Sequence, residues 1–228
     1  MFTFNDSGIL ICSRLQKLPG VEHGFGTRHA ASWVAADACA TVKQTHSDRV
    51  WRADHAGKLG EGDALVTNVP GLFVAVRTAD CIPILMADPR HGAVAAVHAG
   101  WRGTVANIAG KTVREMARLY KTNPSDVLAA IGPGIGRCCF EVGPEVAVQF
   151  RELFPDRDDL DRRTHLDLAE ANRRELTAAG VDPAHVECAG MCTYCMGERF
   201  ESFRRDRERS GRMVSAIGHA KGAGEPAP

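Results

Sequence analysis

The sequence predicts an α+β fold. Short apolar segments separated by glycine and turn residues fill much of the chain, and segments with a helical spacing of apolar residues follow. The 228-residue length allows a large core without disulfide staples, and no internal repeat or linker-like stretch divides the chain. We therefore expect a single domain over residues 1–217 and a flexible tail at 218–228.

Strands are predicted where short apolar runs end at turn residues. The sequences NVPG and PRHG, each between two such runs, are typical of turns. The segment 40–51 is expected to be extended around a polar turn. The predicted strands are 63–67, 71–76, 81–88, 93–99, 127–131 and 212–217.

Helices are predicted from apolar side chains at intervals of three and four residues. Pro144 is suited to the first turn of one helix. Asp167 is placed to cap the start of another, which would end at Gly180. The predicted helices are 103–120, 143–154 and 166–180.

The composition argues against several classes of function. Lysine plus arginine and aspartate plus glutamate both number 28, so the formal net charge is zero and no basic surface for nucleic acid is predicted. No apolar run approaches the length of a membrane span, and the first residues lack the pattern of a secretory signal. The eight cysteines are then expected to be reduced thiols or metal ligands in a cytoplasmic protein.

Cys81 and His98 are candidate functional residues because two consecutive predicted strands bring them to one end of a hairpin. If Pro89 and Arg90 are the central turn residues, Cys81 lies directly opposite His98, with Cβ atoms about 5 Å apart. A four-residue loop would shift the partner by two residues and keep the face, whereas a three-residue loop would separate the faces. Pro83 indicates an edge strand or a bulge near Cys81.

Three interpretations of this pair are open from the residues alone. Cys81 and His98 can be a buried thiol and a hydrogen-bonded core histidine. They can also be a cysteine nucleophile and its base. If His46 converges on them, the three residues make a Cys-His-His zinc site with a fourth position for water or substrate.

Seven motifs occur in order over about residues 20–217. They are HGFGTR (23–28), KQTHSDRV (43–50), GDALVT (62–67), TADCIPILMAD (78–88), AAVHAGWRGT (95–104), IGPGIGRCCFEVG (131–143) and ESFRRD followed by SGR (201–212). With these motifs the chain resembles the YfiH-like family, also described as laccase-domain or multicopper polyphenol oxidoreductase proteins and regarded as purine nucleoside phosphorylases. The resemblance implies layered mixed β-sheets flanked by helices, related to the fold of cytotoxic necrotizing factor, in which a Cys-His pair is hydrolytic.

The resemblance also implies a zinc enzyme, with His46, Cys81 and His98 as the metal ligands. The implied reactions are phosphorolysis of adenosine, inosine, guanosine and methylthioadenosine, and deamination of adenosine. Purine nucleosides and phosphate would be the partners. Copper is a weaker prediction, because a multicopper oxidase needs many histidine ligands and the nine histidines here include no His-x-His pair.

Phosphorolysis needs fixed cations and N–H groups that bind an anion. Arg28 and Arg102 are candidates, together with the backbone N–H groups of Gly103 and Thr104 at a predicted helix start. Salt-bridged or surface arginines are the alternative. Phe25 is a candidate for stacking on the purine, with a core position as its alternative.

Deamination needs a carboxylate that moves protons at the purine, and Asp80 is the acidic residue nearest to Cys81 in sequence. An Asp80 that caps the turn is the alternative.

Two other functions compete with the zinc enzyme. One is a Cys-His hydrolase or amidase acting on a peptidoglycan precursor, since some family members are described as peptidoglycan-editing factors. The other is a nucleotide sensor without turnover.

The segment CAGMCTYC (188–195) has the C-x3-C-x2-C spacing of radical-SAM enzymes, whose thiolates bind an iron–sulfur cluster. Those enzymes place the motif early, whereas here few residues follow Cys195, so this interpretation is disfavoured. A structural zinc site that includes Cys138 or Cys139 is an alternative, as are ordinary thiols. The sequence GPGIG (132–136) lacks the spacing of a phosphate-binding loop and is expected to shape a pocket.

Overall fold

The computed structural model describes residues 1–30 and 33–220 of the chain. Strands dominate these ranges. They are β1 (Phe2–Phe4), β2 (Leu10–Cys12), β3 (Val21–Phe25), β4 (Cys39–Lys43), β5 (Val50–Arg52), β6 (Gly57–Glu61), β7 (Ala64–Thr67), β8 (Phe73–Thr78), β9 (Ile82–Asp88), β10 (Ala93–Ala99), β11 (Leu128–Ile131), β12 (Glu141–Val142), β13 (Thr164–His165), β14 (Val186–Cys188) and β15 (Met213–His219). The helices are α1 (Ser13–Gln16), α2 (Trp101–Val105), α3 (Ile108–Tyr120), α4 (Pro144–Ala147), α5 (Leu168–Ala178) and α6 (Phe203–Asp206).

Two mixed sheets carry most of these strands. The seven-stranded sheet has the order β1-β2-β3-β15-β8-β4-β6, and the six-stranded sheet has the order β14-β11-β9-β10-β7-β5. Strands β12 and β13 form a separate two-stranded ribbon. The layered α+β architecture implied by the family resemblance is therefore confirmed.

Apolar cores lie on both faces of the six-stranded sheet. Along β9, Ile84 and Met86 point to the face covered by α3, whereas Leu85 and Ala87 point to the seven-stranded sheet. Every residue of β9 and β10 is buried, which explains their continuous apolar runs. These two strands form a rigid support for the residues at their ends.

The helix predicted over 103–120 is two helices, α2 and α3. Asn107 lies between them in the left-handed conformation (φ 60°), and its side chain accepts a hydrogen bond from the N–H of Gly110. This local cap competes with a continuous helix, because a short polar side chain can satisfy the free N–H groups of a helix start. The helical spacing of apolar residues continues across Asn107, so the sequence pattern did not indicate the break between α2 and α3.

The other two helix predictions have different outcomes. α4 begins at Pro144 as predicted, but it is short and passes into a 3-10 turn over Val148–Phe150. α5 has the predicted Asp167 cap, whose carboxylate accepts the N–H of Glu170. Gly180 follows the helix with φ 98°, a conformation that favours glycine.

The β9–β10 hairpin has the four-residue loop that the sequence left as an alternative. His98 pairs with Pro83, not with Cys81, so the two-residue turn was wrong while the shared face was kept. Pro83 lies in a central strand between β10 and β11, so the edge prediction was also wrong. The proline is accommodated because the ladder with β11 begins only at Ile84.

β15 continues to His219, two residues into the segment predicted as a tail, and residues 221–228 lie outside the described ranges. Several short strands had no clear sequence signal, among them β1, β2 and β6. No helix in the described part of the chain is long and apolar enough to cross a membrane.

Candidate metal centre

Three segments that are far apart in sequence meet at one end of the two sheets. β4 and β8 are parallel neighbours in the seven-stranded sheet, and after each of them the chain crosses to the six-stranded sheet. The first crossing carries His46 and the second carries Cys81. β10 brings His98 to the same edge, beside the starts of β9 and β7. The strand topology thus joins the three residues.

The donor atoms of His46, Cys81 and His98 all lie within 4.8 Å of one another. Cys81 Sγ is 3.8 Å from His46 Nε2, and the two imidazole rings meet edge to face with centroids 4.9 Å apart. In a tetrahedral zinc site a thiolate sulfur and an imidazole nitrogen are about 3.6 Å apart. The donor set therefore fits zinc, and three protein ligands leave a fourth position free.

The buried carboxylate of Asp63 connects His98 to the loop that carries His46. This carboxylate accepts a hydrogen bond from His98 Nδ1 at 2.7 Å, which directs the other ring nitrogen towards Cys81. It also accepts the backbone N–H groups of Thr45, His46 and Ser47 at 3.2, 3.0 and 2.6 Å. These bonds fix the loop in which His46 has the left-handed conformation, with φ 59°. A carboxylate behind a ligating histidine is the usual support of a zinc site.

The proton positions favour metal binding at Cys81 and oppose it at His98. Burial raises the pKa of the Cys81 thiol, but hydrogen bonds from His46 and His98 outweigh burial and lower it to about 6. Burial lowers the pKa of His98, but Asp63 and the Cys81 thiolate raise it to about 9. Cys81 is thus poised as a thiolate, and metal binding would displace a proton from His98.

Gly100 leaves room for the ligands. A Cβ atom at this position would lie 2.8 Å from His46 Cδ2 and 3.0 Å from Cys81 Sγ. Both distances are shorter than van der Waals contact, so any larger residue would push the ligands apart. A glycine is needed here for space.

A cavity of about 530 Å³ opens onto Cys81 and His98, a volume within the range of small-molecule sites. Its wall combines apolar and aromatic side chains with three arginines. The lining residues are Val42, Gln44, His46, Arg77, Ala79, Asp80, Cys81, His98, Ile135, Phe140, Phe203, Arg204 and Arg212.

The family described as "Multi-copper polyphenol oxidoreductase laccase" matches residues 25–220 of the chain. A protein named Purine nucleoside phosphorylase from Deinococcus radiodurans is 45% identical over 198 residues, covering 86% of this chain and 76% of that protein. The chain belongs to this YfiH-like family.

Other YfiH-like proteins are similar over comparable lengths. A protein named Adenosine deaminase RL5, from an unknown prokaryotic organism, is 41% identical over 200 residues, which cover 81% of this chain and 76% of that protein. The crystal structure of YlmD from Geobacillus stearothermophilus has a TM-score of 0.88 at 29% identity and covers 96% of this chain and 99% of that chain.

The copper in the family's description gets no support from the donor atoms. Two groups in the described ranges could hold a metal: the Cys-His-His centre and a group of four cysteines. The first has two imidazoles and the second none, whereas several copper centres would need many. Thiolate with imidazole, and thiolate alone, are both ligand sets that zinc takes in proteins.

Asp80, the predicted proton carrier, points back into the fold. One carboxylate oxygen accepts the Thr193 hydroxyl at 2.7 Å, and the other accepts the backbone N–H of Arg204 at 2.6 Å. Asp80 itself has φ 86°, a strained conformation that these bonds hold in place. These partners lie far from Asp80 in sequence, so the carboxylate ties the Cys81 turn to the segments of Thr193 and Arg204, and its role in proton transfer stays a prediction.

Neither arginine predicted to bind phosphate lines the cavity. Arg28 is paired with Asp206 at 2.9 Å and with Glu201 at 3.4 Å, so it is the salt-bridged arginine of the alternative interpretation. The guanidinium of Arg102 lies over the ring of Trp101, 4.4 Å from its centroid. The structure therefore does not bring Arg28 and Arg102 together at the cavity.

The remaining predicted contacts are also absent from the cavity wall. The N–H of Thr104 is used inside α2, where it donates to Gly100 O. Gly103 is buried in α2, where a Cβ atom would lie 3.3 Å from the Ser47 carbonyl oxygen. Phe25 is fully buried between the sheets, which was the alternative, so it cannot stack on a ligand in the cavity.

Sequence reasoning missed Asp63 and the cavity arginines Arg77, Arg204 and Arg212. Asp63 lies at the start of the apolar strand in GDALVT. A buried carboxylate needs a hydrogen-bonding partner, so its position next to a buried strand could have indicated a functional role. Arg204 and Arg212 stand in ESFRRD and SGR. The side chain of each reaches backbone carbonyls and lies over an aromatic ring of the wall, Phe140 for Arg204 and Phe203 for Arg212.

Proposed function

We propose that this protein is a zinc-dependent purine nucleoside phosphorylase that also deaminates adenosine. The observation that carries the proposal is the His46–Cys81–His98 donor set, supported by Asp63 and open to a cavity of nucleoside size. The printed names of two relatives, a purine nucleoside phosphorylase and an adenosine deaminase, support the same activities. The proposed substrates are adenosine, inosine, guanosine and methylthioadenosine with phosphate.

The cavity wall supplies the two kinds of contact that phosphorolysis requires. Arg77, Arg204 and Arg212 present guanidinium groups, which match the geometry of a phosphate. Phe140 and Phe203 present aromatic rings on which a purine can stack. These residues replace the candidates that the sequence suggested.

In phosphorolysis a phosphate oxygen forms a bond to the sugar C1′ while the bond from C1′ to the purine nitrogen breaks, and the leaving purine takes a proton. We assign the holding of the phosphate to the arginines and the orientation of the purine to the aromatic wall. A zinc ion on His46, Cys81 and His98 would supply Lewis-acid polarisation and lower the pKa of a bound water. Asp63 keeps His98 oriented throughout.

A second function, a Cys-His hydrolase, is favoured by one observation. The pKa of the Cys81 thiol is lowered to about 6 beside His98, which in turn bonds to Asp63, an arrangement also found in cysteine nucleophiles. Such an enzyme would form a covalent adduct at Cys81 and would work without metal. The two functions are therefore separable by chelation.

The test is to incubate the purified, zinc-loaded protein with adenosine, with and without phosphate. Free adenine that appears only with phosphate, together with ribose 1-phosphate, is the expected result, and ammonia release measures deamination. Cys81→Ser is expected to abolish adenine formation, whereas Cys188→Ser, outside the cavity wall, is the matched control. Full activity in Cys81→Ser would contradict the proposal, and unchanged activity after chelation would favour the hydrolase chemistry.

A further inference from the structure

A second group of sulfur atoms lies outside the cavity, where two irregular loops meet. Cys138 and Cys139 follow β11, and Cys192 and Cys195 follow β14. The four Sγ atoms all lie within 4.8 Å of one another. Four side chains from two loops converge on one point, although the loops are more than fifty residues apart in sequence.

The spacing of the sulfur atoms matches a single tetrahedral metal ion. Cys195 Sγ is 3.7 Å from Cys138 Sγ and 3.4 Å from Cys139 Sγ. With zinc–sulfur bonds of about 2.3 Å, the edges of a tetrahedron of thiolates are about 3.8 Å long. Disulfide bonds would need sulfur atoms about 2.05 Å apart, and all four residues are free cysteines.

The surroundings suit the negative charge that four thiolates bring. The N–H of Gly136 donates to Cys192 Sγ at 3.2 Å. Arg205 donates to the carbonyls of Thr193 and Tyr194, next to the cysteines, and Arg204 donates to the carbonyl of Cys139. N–H groups and cations around the sulfur atoms are the outer shell expected of a metal–thiolate site.

We infer that Cys138, Cys139, Cys192 and Cys195 bind a structural zinc ion, separate from the ion of the Cys-His-His centre. On binding, the thiols release their protons to solvent and no oxidant is required. All four positions of the ion are filled by protein, so the site is closed and structural. The inference is independent of the reaction proposed at Cys81.

The zinc ion would lock the wall of the substrate cavity. Gly134 and Cys192 form an isolated bridge, and Thr193 N–H donates to Gly134 O, so the two loops already run side by side. From these loops Ile135 donates its N–H to the carbonyl of Asp80, and Thr193 donates its hydroxyl to the carboxylate. The closed site thereby fixes the residue that precedes Cys81.

Metal content after reconstitution tests the inference. Wild-type protein is reduced, loaded with Zn²⁺, freed of excess metal by gel filtration and analysed for zinc. We expect about two zinc ions per chain in the wild type, and about one both in Cys81→Ser and in a variant that combines Cys138→Ser with Cys195→Ser. Cys188→Ser is the matched control and is expected to keep about two, although it belongs to the same C-x3-C-x2-C motif.

Cobalt absorption tests the four-cysteine group while its four cysteines are intact, so this measurement does not depend on whether a cluster variant folds. Co²⁺ bound to Cys81→Ser should show the intense sulfur-to-cobalt absorption of four thiolates, and the double variant should show the weaker absorption of one. One zinc ion per chain in the wild type and none in Cys81→Ser would overturn the inference. So would weak cobalt absorption in Cys81→Ser under reducing conditions, or cysteine pairs that form disulfides while zinc is present.

Discussion

The two sulfur-containing sites differ in how many ligands they offer and in what supports them. The Cys-His-His centre has three ligands, includes the buried His98, and is braced by Asp63 at the end of buried strands. The four-cysteine group has a full set of ligands, lies partly exposed, and is built from loops. A centre with an open position can act on substrate, whereas a closed one can only hold structure.

This difference predicts opposite consequences of losing the metal. Buried strands and the hydrogen bonds of Asp63 hold the donor residues of the first centre in place. The loops of the second site are joined by a few backbone hydrogen bonds and make little regular structure, so an ion there would contribute directly to their stability. The first three of the following experiments separate the two sites, and the fourth should leave both unchanged.

The largest expected effect is on catalysis. Cys81→Ser should lower kcat/KM for adenosine phosphorolysis about 10³-fold or more, because several kcal/mol of transition-state stabilisation depend on the metal. The combined Cys138→Ser and Cys195→Ser variant should keep kcat within about tenfold and raise KM, since only the cavity wall loosens. Steady-state kinetics check both. Equal losses of kcat in the two variants would contradict the assignment of one site as catalytic and the other as structural.

Chelation should affect stability more through the four-cysteine site, because four thiolates are expected to bind zinc more tightly than one thiolate and two imidazoles, and the stabilisation grows with the ratio of free zinc to the dissociation constant. At a free zinc concentration about 100 times the dissociation constant, binding stabilises the folded protein by about 2.7 kcal/mol, which a chelator would remove. Thermal unfolding of the zinc-loaded protein with and without chelator measures this effect. Cys81→Ser should retain most of the shift in Tm and the double cluster variant should lose most of it; the reverse pattern would contradict the assignment.

Asp63→Asn should weaken the Cys-His-His centre alone. The amide is a poorer acceptor for His98 Nδ1 and for the loop that holds His46, so zinc affinity at this centre should fall about 10- to 100-fold. Competition with a chromophoric chelator measures the affinity. Asp88→Asn is the matched control, because Asp88 is equally buried and bonds to a histidine, but at the other end of β9. A loss of affinity in Asp88→Asn would indicate a global effect.

The smallest effect on either site is expected from Glu175→Gln in α5. Burial raises the pKa of Glu175 to about 8 from its ordinary value of 4.5, and a hydrogen bond from the Ala109 backbone opposes this rise only in part. The unfolded chain ionises first, so the stability associated with this carboxyl is present below about pH 4.5 and is lost as the pH rises to about 8.

Glu175→Gln should therefore increase the free energy of unfolding at pH 8, on the order of 2 kcal/mol, and change it little near pH 4. Denaturant unfolding at the two pH values checks the sign. Zinc content should stay the same as in the wild type. An equal gain in stability at both pH values would show that ionisation of Glu175 is not the cause.

The sequence predicted much of the β9–β10 hairpin and of α5 because their signals are local. Continuous apolar runs, turn residues between them, and Asp167 as a helix cap depend on neighbours a few residues away. The prediction that Cys81 and His98 share a face was correct although the predicted loop length was wrong, because a shift of the pairing by two residues keeps a side chain on the same face of the strand. From the residues alone His46 was a conditional third ligand, and only the family resemblance joined it to the pair, because no spacing rule connects it to that hairpin.

The sequence by itself determined the strand and helix signals, the end of the hairpin at which Cys81 and His98 lie, and the motifs that carry the family resemblance, whereas the face of the pair depended on the loop length. Only the tertiary structure decided that Asp63 bonds to His98 and that the cavity is lined by arginines other than Arg28 and Arg102. It also grouped Cys192 and Cys195 with Cys138 and Cys139, leaving out Cys188. These contacts depend on strand order and on loops that cross between sheets, and side-chain periodicity carries no information about either.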